Sequence, residues 1–265
     1  MSEEAPPLEI RTYFVRGRNA LLARGDFSNL WIDYYLHLAD TDQQLSPEID
    51  YELKDAIAAL CLHAAGRPWG ERIAWTLHFE DPLRNYFVTA DNPLGRVVGT
   101  CFTDEVKSKG QDLFYADVIA DRKPPRRSVV ELHEQTLWQN VEQFYGQSEQ
   151  RSARFFHYSE EDLVLVSAQP DCDEEWLAAL SEEDIRTLDQ KEELSLLEQR
   201  HFHWKCGCSE EKMLQVLAPG MRTDPECLFA DEPSLRMRCP RCGQRYVITR
   251  EAMECFLETG GKTGV

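Results

Sequence analysis

Four thiols near its C-terminal end constrain this chain more than any other feature. Cys206-Gly-Cys208 is followed, after thirty intervening residues, by Cys239-Pro-Arg-Cys242. Two close cysteine pairs on tight turns, brought together by a folded loop, supply the four soft ligands that Zn²⁺ takes in a tetrahedron. Cys206, Cys208, Cys239 and Cys242 therefore read as the ligands of one four-thiolate zinc. Gly243 lets the chain turn after the second pair while backbone N–H groups face sulfur. The single residue inside the first pair is tighter than the usual spacing, so a generic zinc finger fits less well. A zinc that only staples a small domain and a regulatory zinc with reactive thiols are both compatible with the quartet.

The chain, 265 residues with 42% hydrophobic content, is long enough for one large domain and one small one. Its formal charge of −18 argues against a sequence-independent grip on nucleic acid, which depends on Lys and Arg displacing phosphate counterions. The opening Met1-Ser-Glu-Glu-Ala-Pro-Pro7 lacks a basic region followed by an apolar core, and no apolar run is long enough to span a bilayer. We expect a cytoplasmic protein with no membrane partner. Nine cysteines, four of them metal-spaced, read in a reducing compartment as metal or redox chemistry rather than a disulfide framework.

Along the chain, residues 10–16 read as a strand, a second strand follows Asn19, and Asn29 to Ala39 carries helical spacing. Ser46-Pro47 offers a cap and a first-turn proline to a helix that buries Leu53, Ile57, Leu60, Cys61 and Ala64. From Arg72 the period changes to two, with Ile73, Trp75, Leu77 and Phe79 on one face. Turns at Asp81-Pro82 and Asn92-Pro-Leu-Gly95 separate strands near 84–90 and 96–103, and 113–120 adds another. Ser128 to Tyr145 reads as an amphipathic helix, followed by a hairpin over 154–158 and 163–168. The fold class expected is α+β: an N-terminal domain of antiparallel sheet and helices over 1–170, a charged helical linker over 171–200, and a small zinc-binding domain over 201–265.

The stretch 171–200 holds eleven acidic residues against three basic ones, interleaved with Trp176, Leu177, Leu180, Ile185, Leu188, Leu194, Leu196 and Leu197. That mixture predicts amphipathic helices of marginal stability, able to dock on a neighbour but not to survive alone. In the last domain Ser209 is an N-cap candidate that sets Cys208 just before a helix N-terminus, where thiolate is favoured. Arg236, Arg238, Arg241 and Arg245 add positive charge near the second pair, with surface solubility the plainer reading. His203, in an H-x-H with His201, is a candidate substitute ligand. Cys61 and Cys101 read as packed core, and Cys172, Cys227 and Cys255 as bystanders. Residues 201–265 have little core of their own, so removing the metal should unfold them.

Three segments carry a family resemblance. His203-Trp-Lys-Cys206-Gly-Cys208 through Met213, with Met237-Arg-Cys239-Pro-Arg-Cys242-Gly-Gln-Arg-Tyr246 through Glu251, resembles the zinc domain of the 33 kDa heat-shock chaperonins. Gly70-Glu-Arg-Ile73, Asp81-Pro-Leu-Arg84 and Gly95-Arg-Val-Val-Gly99 are similar to that family's central hairpins, and Tyr145-Gly-Gln-Ser-Glu-Gln150 to its "F-x-Q-S-E-Q" segment. The resemblance implies an ATP-independent holdase chaperone, not an enzyme. Oxidation would join Cys206 with Cys208 and Cys239 with Cys242, release zinc, unfold the linker and uncover a surface for unfolding client proteins, generally as a homodimer. No Gly-rich phosphate loop of the P-loop kind occurs. The stretch before Cys206 is shorter than the family's usual linker. Two other readings of the thiols stay open: a thiol–disulfide oxidoreductase using Cys239-Pro-Arg-Cys242, and a zinc-ribbon adaptor. A constitutive zinc-stapled chaperone without redox control is a fourth.

Overall fold

The computed structural model describes residues 6–230 and 232–259, so Met1–Ala5, on which the reading of the N-terminus partly rests, lie outside the described residues. The chain divides into two compact units, Met1–Lys205 and Cys206–Val265. Its class is α+β. The first unit runs β1 (Leu8–Val15), β2 (Ala20–Asp26), α1 (Ser28–Asp40), α2 (Pro47–Ala65), β3 (Glu71–Glu80), β4 (Leu83–Asp91), β5 (Arg96–Phe102), β6 (Leu113–Ala120), β7 (Arg126–Glu131), α3 (Leu137–Phe144), β8 (Ala153–His157), β9 (Asp162–Ala168), α4 (Glu174–Ala179), α5 (Glu182–Arg186), α6 (Leu188–Lys191) and β10 (Leu194–Trp204).

These strands form one ten-stranded sheet in the order β7-β6-β3-β4-β5-β10-β1-β2-β9-β8. Every pairing is antiparallel except β10 with β5, which is parallel and joins only His203 to Arg96 and Trp204 to Val97. Helix α2 lies across the sheet as its main packing partner. Its start is set by the Ser46 hydroxyl, which accepts the Ile49 N–H, with Pro47 in the first turn. From Ala56 to Ala65 every residue is buried. Gly99 permits the close approach: a Cβ there would stand 2.8 Å from Val88 Cγ1 and 3.1 Å from Ile57 Cγ1. Cys61 and Cys101 are both buried.

The helix expected over Ser128–Tyr145 is in fact β7 followed by α3. The β-branched Val129 and Val130 pair with Tyr115 and Phe114 of β6, and the helix starts only where Thr136 and Gln139 close a capping box. A π-helical turn, Tyr145–Glu149, then ends at Gln150 in the left-handed region.

The acidic stretch is helical only as far as Lys191. Leu177, Leu180, Ile185 and Leu188 are buried against Val15, Leu22, Phe156, Val164 and Val166 on one face of the β1-β2-β9-β8 quarter of the sheet. Arg18, in the β1–β2 turn, holds both ends of this cover, donating to Asp173 at 2.6 Å and to Glu192 at 2.9 Å. From Leu194 the chain is a strand, because β1 offers it a full ladder running from Leu8 opposite Phe202 to Val15 opposite Leu194. The entry of β10 beside β5 depends on Gly95, whose φ is +58° and where a Cβ would stand 2.6 Å from the His201 carbonyl oxygen.

The second unit comprises α7 (Glu210–Thr223), α8 (Pro225–Phe229), β11 (Ser234–Arg238), β12 (Arg245–Thr249) and α9 (Arg250–Glu258). Its small core is Met213, Leu214, Ala218, Met221, Phe229, Ile248, Met253 and Phe256.

Candidate metal centre

Both cysteine pairs sit on turns made by glycine. Gly207, between Cys206 and Cys208, and Gly243, directly after Cys242, have φ of +70° and +76°. The second turn is closed by the Gly243 N–H on the Cys239 carbonyl at 2.9 Å, and by the Cys239 N–H on the Gln244 carbonyl at 2.7 Å. It forms the tip of the antiparallel β11–β12 hairpin. The first pair leads into α7, capped by the Ser209 hydroxyl on the Lys212 N–H as its residue type predicts.

Across the two turns, Cys206 Sγ lies 3.6 Å from Cys239 Sγ, and Cys208 Sγ lies 3.6 Å from Cys242 Sγ. All four sulfurs fall within 4.8 Å of one another. A disulfide would bring two sulfurs to about 2 Å. Four sulfurs each about 2.3 Å from a central zinc stand about 3.8 Å apart. The spacing fits a tetrahedral ion and not a bonded pair, so the four cysteines are positioned to hold a metal, and an all-sulfur donor set suits zinc. When bound, such an ion would supply the positive charge that lets four crowded thiolates coexist.

Four thiols this close also perturb one another's protonation. Cys239 is held well below the ordinary thiol range, first by the Cys206 thiol and then by that of Cys242, with backbone N–H groups of Arg241 and Cys242 adding to the effect. Cys206 is pushed up to about 12, mainly by its hydrogen bond to Cys239. Cys242 moves up too, first through its hydrogen bond to Cys206 and then through that to Cys239. Sulfurs this close share protons unless a cation takes their place.

Three further contacts brace the site, and sequence reasoning missed them. The Tyr246 hydroxyl donates to Cys208 Sγ at 3.0 Å. Arg241 reaches the Cys206 carbonyl at 3.4 Å, and the Lys212 ammonium bonds the Gly207 carbonyl. Among the arginines near the second pair, Arg241 thus acts on the backbone of the first. His201 and His203 belong to β10, where His201 meets Glu9 at 3.4 Å and the His203 N–H bonds Gly95. Among the described residues, the group able to hold a metal consists of cysteines alone. Cys172 is half-buried, and Cys227 and Cys255 are exposed.

Fold and site together define a two-unit α+β protein whose smaller unit carries four cysteines positioned to hold a metal ion. Residues 159–249 match the family model described as "Hsp33 protein". The 33 kDa chaperonin of Photobacterium profundum is 23% identical over 252 residues, covering 80% of this chain and 85% of its own. That of Shewanella sp. (strain W3-18-1) is 23% identical over 159 residues, so that the chain spans about half of that relative's length, 56%. A solved structure of the 33 kDa chaperonin (heat shock protein 33 homolog) of Thermotoga maritima superposes with a TM-score of 0.70 at 15% identity, covering 97% of this chain and 99% of the other. At that identity the likeness speaks for the fold. Over most of its length the chain is thus similar to the 33 kDa chaperonins.

Proposed function

We propose that this protein is a redox-regulated, ATP-independent holdase chaperone and not an enzyme. In the reduced state Cys206, Cys208, Cys239 and Cys242 would hold one Zn²⁺ and keep the C-terminal unit folded. As each disulfide forms, Cys206 with Cys208 and Cys239 with Cys242, its two thiolates give two electrons to peroxide, which is reduced to water, and the two bonds together remove all four anionic donors. A unit with so small a core would then lose its fold. The working parts we infer are a chaperone body over 1–170, an acidic cover over 171–200 and a thiol switch over 201–265. With the cover displaced, the apolar face beneath Leu177, Leu180, Ile185 and Leu188 would hold unfolding client proteins, the oxidised protein acting as a homodimer. We place it in the cytoplasm, without nucleic-acid or membrane partners. Among the described residues, no helix is long and apolar enough to cross a membrane.

The observation that carries this reading is the gathering of four sulfurs within 4.8 Å of one another, in a unit whose buried core among the described residues is eight residues. The oxidoreductase reading is disfavoured because Cys239-Pro-Arg-Cys242 lies at a hairpin tip, not in a βαβ setting, with each sulfur engaged by the first pair. The test follows zinc release and suppression of aggregation of a heat-unfolding protein in one sample, before and after peroxide at elevated temperature. Zinc loss with concurrent, reductant-reversible holding is expected. Zinc loss without holding refutes the switch.

A further inference from the structure

The acidic cover is tied down at one place in addition to being packed. Residues 16–19, the turn between β1 and β2, bend through the left-handed region at Gly17 and Asn19, with φ of +74° and +49°. One side of this turn receives the incoming chain. The Gln169 N–H donates to the Asn19 carbonyl at 3.0 Å, the Asn19 amide to the Asp171 carbonyl at 2.9 Å, and the Asp173 N–H to the Arg18 carbonyl at 3.0 Å. The other side receives the outgoing chain, where the Arg16 N–H donates to the Glu193 carbonyl at 2.9 Å.

Between the two, one guanidinium meets both ends of the helical stretch. Arg18 donates to Asp173, the N-cap of α4, at 2.6 Å and to Glu192, the C-cap of α6, at 2.9 Å, and lies 5.5 Å from the centre of the Trp176 ring. The Glu192 side chain is only 13% exposed, and among the described residues Arg18 is the cation that meets it. A carboxylate so far withdrawn from water needs such a partner, the more so in a stretch with eleven acids against three bases. Beside the guanidinium is a cavity of about 380 Å³ bounded by Arg18, Trp176, Leu180, Asp184, Leu188 and Lys191. The Arg18 side chain is itself 35% exposed, so water and small ions reach it.

We propose that this turn is an ionic clasp: by neutralising Asp173 and Glu192 together, Arg18 makes release of the acidic cover sensitive to ionic strength, an input that needs neither oxidation nor loss of metal. Charge pairs open to solvent weaken as the Debye length falls, from roughly 20 Å at about 20 mM salt to about 4 Å at about 500 mM. The apolar burial of Leu177, Leu180, Ile185 and Leu188 is not screened in this way. Screening also relieves repulsion among the cover's own acids, which favours docking, so the sign of the salt effect reports whether the clasp dominates. Only the consequence for holding activity rests on the functional reading given above.

Amide exchange over 174–191 is followed by mass spectrometry in the full-length, reduced, zinc-loaded protein at about 20 and about 500 mM sodium chloride, with zinc retention read by a chromophoric chelator. High salt should speed exchange at least about fivefold while zinc stays bound. In Arg18→Gln exchange should already be that fast at low salt and should rise no further. Glu192→Gln in that background should restore part of the protection, because it removes the stranded carboxylate. An Arg18 that only fills space would leave the salt response intact in the variant and gain nothing from the second substitution. Exchange that salt leaves unchanged or slows in the unaltered protein, speeding accompanied by zinc release, an equal salt response in Arg18→Gln, or no recovery with Glu192→Gln overturns the clasp. Exchange that behaves as expected while no holding activity appears leaves the clasp standing and removes the client surface instead.

Discussion

Replacing Tyr246 by Phe removes a single oxygen from the thiol site and leaves its ring against the core of the second unit. That hydroxyl donates to Cys208 Sγ at 3.0 Å. Burial first, and then the hydrogen bond to Cys208, raise the tyrosine above its ordinary range, so it is a donor at neutral pH. A hydrogen bond to an ionised acceptor contributes about 1.5–3 kcal/mol. Tyr246 and Cys208 are both only half-buried, so solvent replaces part of the bond and the low end applies. About 1.5 kcal/mol corresponds to roughly tenfold in metal affinity, within the range found when a ligand's supporting hydrogen bond is lost. Competition for zinc against a chromophoric chelator reads this directly in the reduced protein. A sulfur stripped of its donor is also the better nucleophile, so Tyr246→Phe should release zinc faster under peroxide. Unchanged zinc affinity in a folded variant would show that the hydroxyl does not support the thiolate.

Three other outcomes follow from named contacts. Leu177 is 1% exposed beneath the acidic cover, and Leu177→Ala should destabilise its docking by about 2–5 kcal/mol. Amide exchange over 174–191 should speed up, with holding activity appearing before any oxidant is added; unchanged exchange would remove the cover from the mechanism. Gly95→Ala puts a Cβ 2.6 Å from the His201 carbonyl at φ +58°, whereas Gly17→Ala, at φ +74°, meets nothing within 4 Å. The first should cost more than the about 1–2 kcal/mol of left-handed strain expected of the second; urea unfolding giving equal losses would refute the steric argument. Asp55 is pushed up to about 7, by burial and then by the charge of Glu52. Between about pH 4 and 7 the folded chain keeps this proton while the unfolded chain has released it, so stability falls as pH rises through that window. Asp55→Asn should flatten the decline, by on the order of 3 kcal/mol between pH 4 and 8, and identical urea midpoint profiles would refute it.

What the sequence made legible was local. The Ser46-Pro47 cap, the alternation from Ile73 to Phe79 and the Ser209 cap each act within a few residues, and each stands where expected. The four thiols were readable because metal chemistry limits the spacings that work. Errors arose where a distant partner decided. Leu194 to Arg200 carries the same leucines and glutamates as the helices before it, and only β1 makes it a strand. Val129-Val130 was a strand signal overlooked inside a longer apolar stripe. The Tyr246 bond to Cys208 spans 38 residues and leaves no trace in local pattern.

The place of β10 has a consequence for how such a chain is made. Among the described residues it is the only strand joining the antiparallel group β7-β6-β3-β4-β5 to the group β1-β2-β9-β8, and it is the last of the ten to leave the ribosome. Leu8 must wait for Phe202, about 190 residues later, before its ladder closes. Until then β1 and β5 each present an unpaired edge, and edges of that kind recruit other strands. During its own synthesis this chain passes through a state that could itself profit from a holdase.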